Sequence, residues 1–209
     1  MIVNAAYRYG DWRVCADGAA NVALAATSVG ARLVHISSDA LHGGRPAPYL
    51  DDDVPTPVNP YGAAKAAAET AVSAIDPSAA IIRTSLLIGD DRSKQIQLAL
   101  DLLAGRHSGA LFTDEYRCPI AVDDLAAAVL EIAATHYAGP LNVAGPQALS
   151  RADLGRLVAL QHGLDPARLR TCAIAESGLG RRPANVRLDS ARAMTMLTTR
   201  LRPAVEVIR

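Results

Sequence analysis

Lysine is almost missing from this chain. Lys65 and Lys94 are the only two among 209 residues, so arginine supplies nearly all the positive charge. The formal net charge is zero, which leaves no electrostatic footprint for nucleic acid or an anionic membrane. Cysteine is scarce too: Cys15, Cys118 and Cys172 are an odd number with no CxxC. That argues against a disulfide framework or a zinc site and fits a reducing cytoplasm. The five histidines show no metal-ligand spacing, and no G-x-S-x-G elbow occurs; metal catalysis and a serine hydrolase are both disfavoured. No apolar stretch approaches the roughly 18 residues of a membrane span. The opening MIVNAAYRYGDW lacks a basic region followed by an apolar run, so it does not read as a signal peptide. A soluble, cytoplasmic globular chain is expected.

One further absence bears on function. Dinucleotide-binding folds open with a glycine-rich turn that lets the backbone approach a pyrophosphate. The single Gly-x-Gly here, Gly178-Leu179-Gly180, lies near the C-terminus and is followed by Arg181, Arg182 and Pro183. It follows no clear strand and has proline where a third glycine belongs, so it is not such a turn.

What is present alternates short apolar runs with alanine-rich helical stretches. Ile2 to Ala6 reads as a strand, Trp12 to Ser28 as a helix stopping before Gly30, and Arg32 to Ser37 as a second strand. Pro60 suits the first turn of a helix running to about Ile75, and a third strand starts near Ala79. Leu125, Ala128, Val129 and Ile132 mark one helix face. PLNVAG is a further strand, and Ser150 with Asp153 marks a helix start. Such alternation predicts an α/β fold around a mostly parallel sheet, becoming less regular from about Asp90. The acidic run Asp51 to Asp53 reads as a solvated loop without a role.

Residues 59 to 70, NPYGAAKAAAET, place Tyr61 and Lys65 four apart on one helix face. A phenol with a pKa of about 10 is a poor proton relay unless a nearby cation lowers it. Chance alone produces this spacing here at about 6%, so the pair by itself is only suggestive. Upstream, HISSDALHGG sets Ser37, Ser38 and Asp39 at the C-terminal edge of the sheet, where open α/β folds bind ligands. The same residues also suit an ordinary turn.

Taken in order, NAAY, HISSD, PYGAAK, RTSLLIG, DDLA, NVAGPQALSR and RRPANVRLD resemble the extended short-chain dehydrogenase/reductase family, closest to the dTDP-4-dehydrorhamnose reductases. The resemblance covers essentially the whole chain. It implies a Rossmann-like parallel sheet with helices on both faces plus a small C-terminal substrate-binding lobe. Residues 1–89 would be a partial NAD(P)-binding domain, and 90–209 would mix remaining Rossmann elements with that lobe. By the same likeness, Ser38 holds the substrate carbonyl, Tyr61 donates the proton, and Lys65 lowers the tyrosine pKa and holds the nicotinamide ribose. Asn4, Ala5 and Ala6 would pass the cofactor, NADPH or NADH. Asp39, Arg83 and Ser85 would border the substrate, with Arg181 and Arg182 gripping its diphosphate. The implied reaction reduces a 4-keto group on a nucleotide-linked deoxysugar, and a homodimer is compatible with it.

Against the family pattern, the first βαβαβ half has no counterpart here. Residues 2 to 6 are therefore expected to form an apolar open edge that invites pairing with another chain. Ala40 and Ile88 stand where the family usually has aromatic residues, which bears on substrate identity more than on reaction type. The alternative function is a non-catalytic sugar-nucleotide-binding or regulatory subunit; an epimerase or dehydratase ranks lower.

Overall fold

The computed structural model describes residues 1–208. Three strands open the main sheet: β1 (Ile2–Asn4), β2 (Leu33–Ile36) and β3 (Ala80–Arg83). Shorter strands follow, namely β4 (Leu87–Ile88), β5 (Leu111–Phe112), β6 (Tyr116–Arg117) and β7 (Ile120–Ala121). β8 (Gly139–Asn142) then returns to the main sheet, giving the all-parallel order β1-β2-β3-β8. β9 (Leu149–Ser150) pairs antiparallel with β6, and β10 (Thr171–Cys172) pairs parallel with β5. β1 is an edge, as expected, and its Val3 is exposed.

Alternation along the strands decides what each sheet face carries. Leu33 and Ile81 point to one side, where they pack with Ala19, Ala23 and Ala26 of α1 (Gly18–Ser28) and Ala68 and Val72 of α2 (Pro60–Ile75). Val34, Ala80, Ile82 and Leu141 point to the other side. After α3 (Lys94–Leu103) comes α4 (Val122–Ala133), which covers that second face with Leu125, Ala128, Val129 and Ile132, the residues that the helical spacing predicts. Alanines on α1 let it lie close to the sheet, and α5 (Arg151–Gln161) packs with α3 in a second body of apolar contacts around Ile96, Leu154 and Val158. No helix among the described residues is long and apolar enough to cross a membrane.

Several boundaries depart from the sequence reading for local reasons. β1 stops at Asn4 rather than Ala6 because the Asn4 side chain accepts the Ala6 N–H (3.2 Å) and turns the chain. The helix expected from Trp12 begins as a π-helical turn, Arg13–Asp17, and continues as α1. Gly30, in the left-handed region at φ 62°, ends it. α2 has the expected bounds: Asn59 caps it by accepting the Gly62 N–H at 2.8 Å, and Pro60 needs no donor at the first position. The acidic run is not simply solvated. Asp51 is buried, and its carboxylate accepts the Asn142 N–H at 2.6 Å, while Asp53 pairs with Arg45.

Candidate active site

At the carboxyl end of β2 the chain stays anchored to β3 and then turns away. Ser37 N–H donates to Ile82 O at 2.7 Å and Asp39 N–H to Thr84 O at 2.8 Å. Ser38 caps the following 3-10 turn, Asp39–Leu41, its hydroxyl oxygen accepting the Ala40 N–H at 3.2 Å. The first turn of α2 lies directly against this turn. A Cβ on Gly62 would stand only 2.1 Å from Ala40 O, so glycine at 62 is what lets Tyr61 and Ser38 meet. Ser38 lies beside the phenol, and Tyr7 (ring centroids 5.6 Å apart, edge-on) and Tyr9 (5.2 Å) flank the ring.

Two cavities adjoin along this wall. One, about 640 Å³, is mostly apolar, with Ala5, Ala6, Ile36, Leu125, Ala126 and Val129 facing it. The other, about 550 Å³, is rich in charge, with Asp39, Glu115, Arg117, Arg151, Arg181 and Arg182 around it. Tyr7, Ser38, Tyr61, Ser85 and Leu87 line both. Lys65 reaches the apolar cavity alone of the two.

The expected electrostatic effect of the lysine is absent from this geometry. Lys65 Nζ donates to Ile36 O at 2.6 Å and lies 3.4 Å from His35 Nε2. The Tyr61 phenol is pushed well above its ordinary pKa by burial, with the Ser38 hydrogen bond pulling only partly the other way. Burial also lowers the Lys65 pKa, against smaller upward pulls from Cys15 and Glu69. Desolvation is the largest cause for both groups, and neither counts the other among its causes.

In the charged cavity, Glu115 is the hub. It accepts Arg182 Nε at 2.7 Å, and Arg117 and Arg151 stand 3.6 and 3.9 Å from its carboxylate. Arg117 also faces Asp39 at 3.5 Å, and Ser85 Oγ donates to Asp39 at 2.7 Å. Burial raises the Asp39 pKa against the pull of Arg117. Three guanidinium groups thus share two carboxylates, and Arg151 NH1 is buried with no partner. A cluster with surplus positive charge and an unused donor suits an anion. Glu115, Arg117 and Arg151 escape the sequence reading because the β6 segment and the start of α5 carry no motif spacing that links them. Tyr7 and Tyr9 escape it for want of any periodic signal.

Two sequence expectations are corrected. Arg83 does not border a ligand. It is buried, chelating Glu69 (2.8 Å from NH2 to Oε2) and donating through NH1 to Asp51 O and Asp53 O at 2.9 and 2.8 Å. Those bonds saturate the fork, so it braces the acidic loop against α2. Asn4 does not face the cavity; it is buried with its amide on His35 and Ala6. Of the two C-terminal arginines, Arg182 is tied into the cluster, whereas Arg181 lines the cavity with its side chain exposed.

A nicotinamide ring fits the apolar cavity on this chain's own features. The walls are mostly apolar, and Thr84 Oγ1 is a buried hydroxyl there with no partner, available to a carboxamide. Gly10, next after β1, has no neighbouring group within 4 Å of its Cβ position and makes no close backbone cradle.

Comparison with known proteins gives a consistent result. The family model "RmlD substrate binding domain" matches residues 7–208. A dTDP-4-dehydrorhamnose reductase of Mycolicibacterium smegmatis is 37% identical over 163 residues, covering 76% of this chain and 50% of that protein. Methionine adenosyltransferase 2 subunit beta of Bos taurus is 27% identical over 189 residues, covering 86% of this chain and 57% of that protein. The chain spans about half the length of the curated relatives it matches. Among solved structures, the dTDP-4-dehydrorhamnose reductase of Bacillus anthracis, in complex with NADP, superposes with a TM-score of 0.87 at 24% identity, over 99% of this chain and 78% of that one. At that identity the likeness is one of fold.

Proposed function

The chain belongs to the RmlD substrate binding domain family, and from that premise we propose that it takes part in NAD(P)H-dependent reduction of a 4-keto group on a nucleotide-linked deoxysugar. The observation that carries this reading is the shared wall: Ser38 and Tyr61 stand where an apolar cavity meets an arginine-rich one. The apolar side suits a nicotinamide ring and the charged side a sugar diphosphate. NADPH or NADH, when bound, supplies the hydride.

The chain's own groups do the rest. Ser38, held from behind by the Ala40 amide, orients the carbonyl oxygen. Tyr61, kept protonated by burial, delivers its phenolic proton to that oxygen as negative charge develops. Lys65 would meet the ribose hydroxyls from its place in the apolar cavity, and Thr84 the carboxamide. Arg117, Arg151 and Arg182 offset the substrate's diphosphate charge, with Glu115 and Asp39 fixing their directions. Such a reaction fits the cytoplasm, where free thiols such as Cys15, Cys118 and Cys172 persist.

Turnover of NADPH with a dTDP-4-keto-6-deoxysugar, lost in Tyr61→Phe, supports the reading. A second reading, a sugar-nucleotide-binding subunit of another assembly, is favoured by likeness to a protein named as a beta subunit. Saturable sugar-nucleotide binding without turnover, unchanged in Tyr61→Phe, would select it.

A further inference from the structure

His162 stands immediately after α5 and has no task in the reduction as described. Its side chain is 21% exposed, and each ring nitrogen meets an oxygen. Nδ1 lies 2.8 Å from Val158 O, one turn back on α5. Nε2 lies 3.0 Å from the Asp91 carboxylate, on the loop 89–93 between β4 and α3.

Both partners only accept. A backbone carbonyl has no proton to give, and an exposed carboxylate is ionised near neutral pH. Both ring nitrogens therefore donate, which only the imidazolium can do. Either neutral tautomer keeps one contact and turns a lone pair against the other oxygen. The place suits a cation on its own account, since the last carbonyls of a helix carry the negative end of its dipole.

Both sides that the ring joins lead to the candidate site. α5 opens with Arg151, beside Glu115, and ends against His162. Asp91 is held to α3 through its backbone, the Gln97 side-chain amide donating to Asp91 O. Leu87, on β4 just before the loop, lines both cavities, and Gln95, in the first turn of α3, lines the charged one.

We propose that His162 and Asp91 form a proton-operated tie between α5 and the loop 89–93, closed while the ring carries both its protons and loosened when it loses one, so that the placement of Leu87 and Gln95 follows pH. The tie stands apart from the reductase reading. A cavity of about 540 Å³ beside the ring gives it room to swing away.

The charges around it leave Asp91 as the partner that matters. Asp90, Arg92, Asp123 and Arg202 line the same cavity. Arg92 is paired with Asp90 and Arg202 with Asp124, each at 2.6 Å. Of the other charges nearby in the chain, Lys94 lies over the Tyr7 ring, Asp101 pairs with Arg106, Asp153 with Arg156 and Glu206 with Arg200. Hydrogen bonds to Asp91 and to the Val158 carbonyl raise the His162 pKa above its ordinary value. With the folded value above the unfolded one, the tie is complete below about pH 6.5 and is lost as pH rises through the folded value.

The test is a nuclear magnetic resonance titration of the full ¹³C,¹⁵N-labelled chain from about pH 5 to 9. Of the five histidines, His35 and His42 are held down at about 3 and about 4, which leaves His107, His136 and His162 to titrate in that window. The expected result is a His162 midpoint above about 6.5, with the amide signals of Leu87 and Gln95 moving at the same midpoint. Asp91→Asn should bring the midpoint down toward about 6.5, and His162→Gln, which also assigns the ring signal, should abolish the movement at Leu87 and Gln95. A His162 midpoint at or below about 6.5, or amide signals at Leu87 and Gln95 that ignore it, would overturn the proposal. No ligand enters this experiment, so its failure is distinguishable from failure of the reductase reading.

Discussion

The two cavities that meet at Tyr61 differ in how they handle water. The apolar one is walled by strand ends and by α4, with Ser37, Ser38, Tyr61, Lys65, Thr84 and Ser85 among its few polar groups. The charged one is walled by side chains from α5, β6 and the segment around Arg182, and its guanidinium groups are held by Glu115. Burial on that side raises the Tyr61 pKa and lowers that of Lys65. A surplus of guanidinium on the other side waits for an anion. Tyr61 sits on the seam because Gly62 allows α2 to touch the turn that carries Ser38. On the reading proposed above, one side selects by apolar contact and the other by charge, and the chemistry needs both.

The largest effect that would test this division is at the seam itself. Tyr61→Phe removes the proton donor and leaves both cavities intact, so turnover should fall by about 10² to 10⁴ while ligand affinities persist. Steady-state rates beside calorimetric titrations of the same variant would show the split. A large loss of affinity in both cavities would mean that the ring organises the site rather than reacting in it.

Arg83→Leu sharpens the charged side by exclusion. It strands the buried Glu69 carboxylate, and stability should fall by about 3–5 kcal/mol in urea unfolding, with sugar-nucleotide affinity in the folded fraction unchanged. Arg182, by contrast, is partly exposed and bonded to a hub that retains Arg117 and Arg151. Arg182→Ala should cost less than about 1 kcal/mol of stability and weaken sugar-nucleotide binding about tenfold. Its mirror image is Ala126→Phe, on the exposed side of α4. That ring should fill the apolar cavity, weaken nicotinamide-nucleotide binding about tenfold and leave the sugar nucleotide unaffected. If either variant weakens both ligands equally, the two cavities are not separate.

The smallest effect is on acid stability. His35 is held neutral, with its folded pKa near 3 against about 6.5 in an unfolded chain. Its contribution is complete above about pH 6.5 and is lost as pH falls toward 3, because the unfolded state takes up the proton that the folded state refuses. The slope is at most about 1.4 kcal/mol per pH unit. Comparing urea midpoints at pH 7 and pH 5 should show the loss, and His35→Gln should flatten it.

Much of this was legible in the sequence where the signals are local. Asn59-Pro60 starts α2, Tyr61 and Lys65 share its face, and the strand before Ser38 ends at the sheet's carboxyl edge. The alternation that buries Leu33 and Val34 on opposite faces was readable as well. What was not legible depends on partners distant in the chain. Arg83 looked like a strand-end ligand contact until Glu69 and the Asp51 and Asp53 carbonyls enclosed it. Asp51 looked solvated until Asn142, on a strand some ninety residues later, donated to it. Lys65 was expected to lower the tyrosine pKa, since spacing brings the two together but says nothing of the desolvation that dominates both groups. The Glu115 cluster draws on β6, α5 and the C-terminal segment, and no single window contains it.

The most direct test of the central claim is a calorimetric titration of the full chain with reduced nicotinamide mononucleotide, alone and after saturation with a dTDP-sugar. The mononucleotide needs no pyrophosphate cradle, so it probes the apolar cavity by itself. The expected result is saturable binding of both ligands, each persisting in the presence of the other. Mutual competition, or no nicotinamide binding by a folded chain that still binds the sugar nucleotide, would contradict the account.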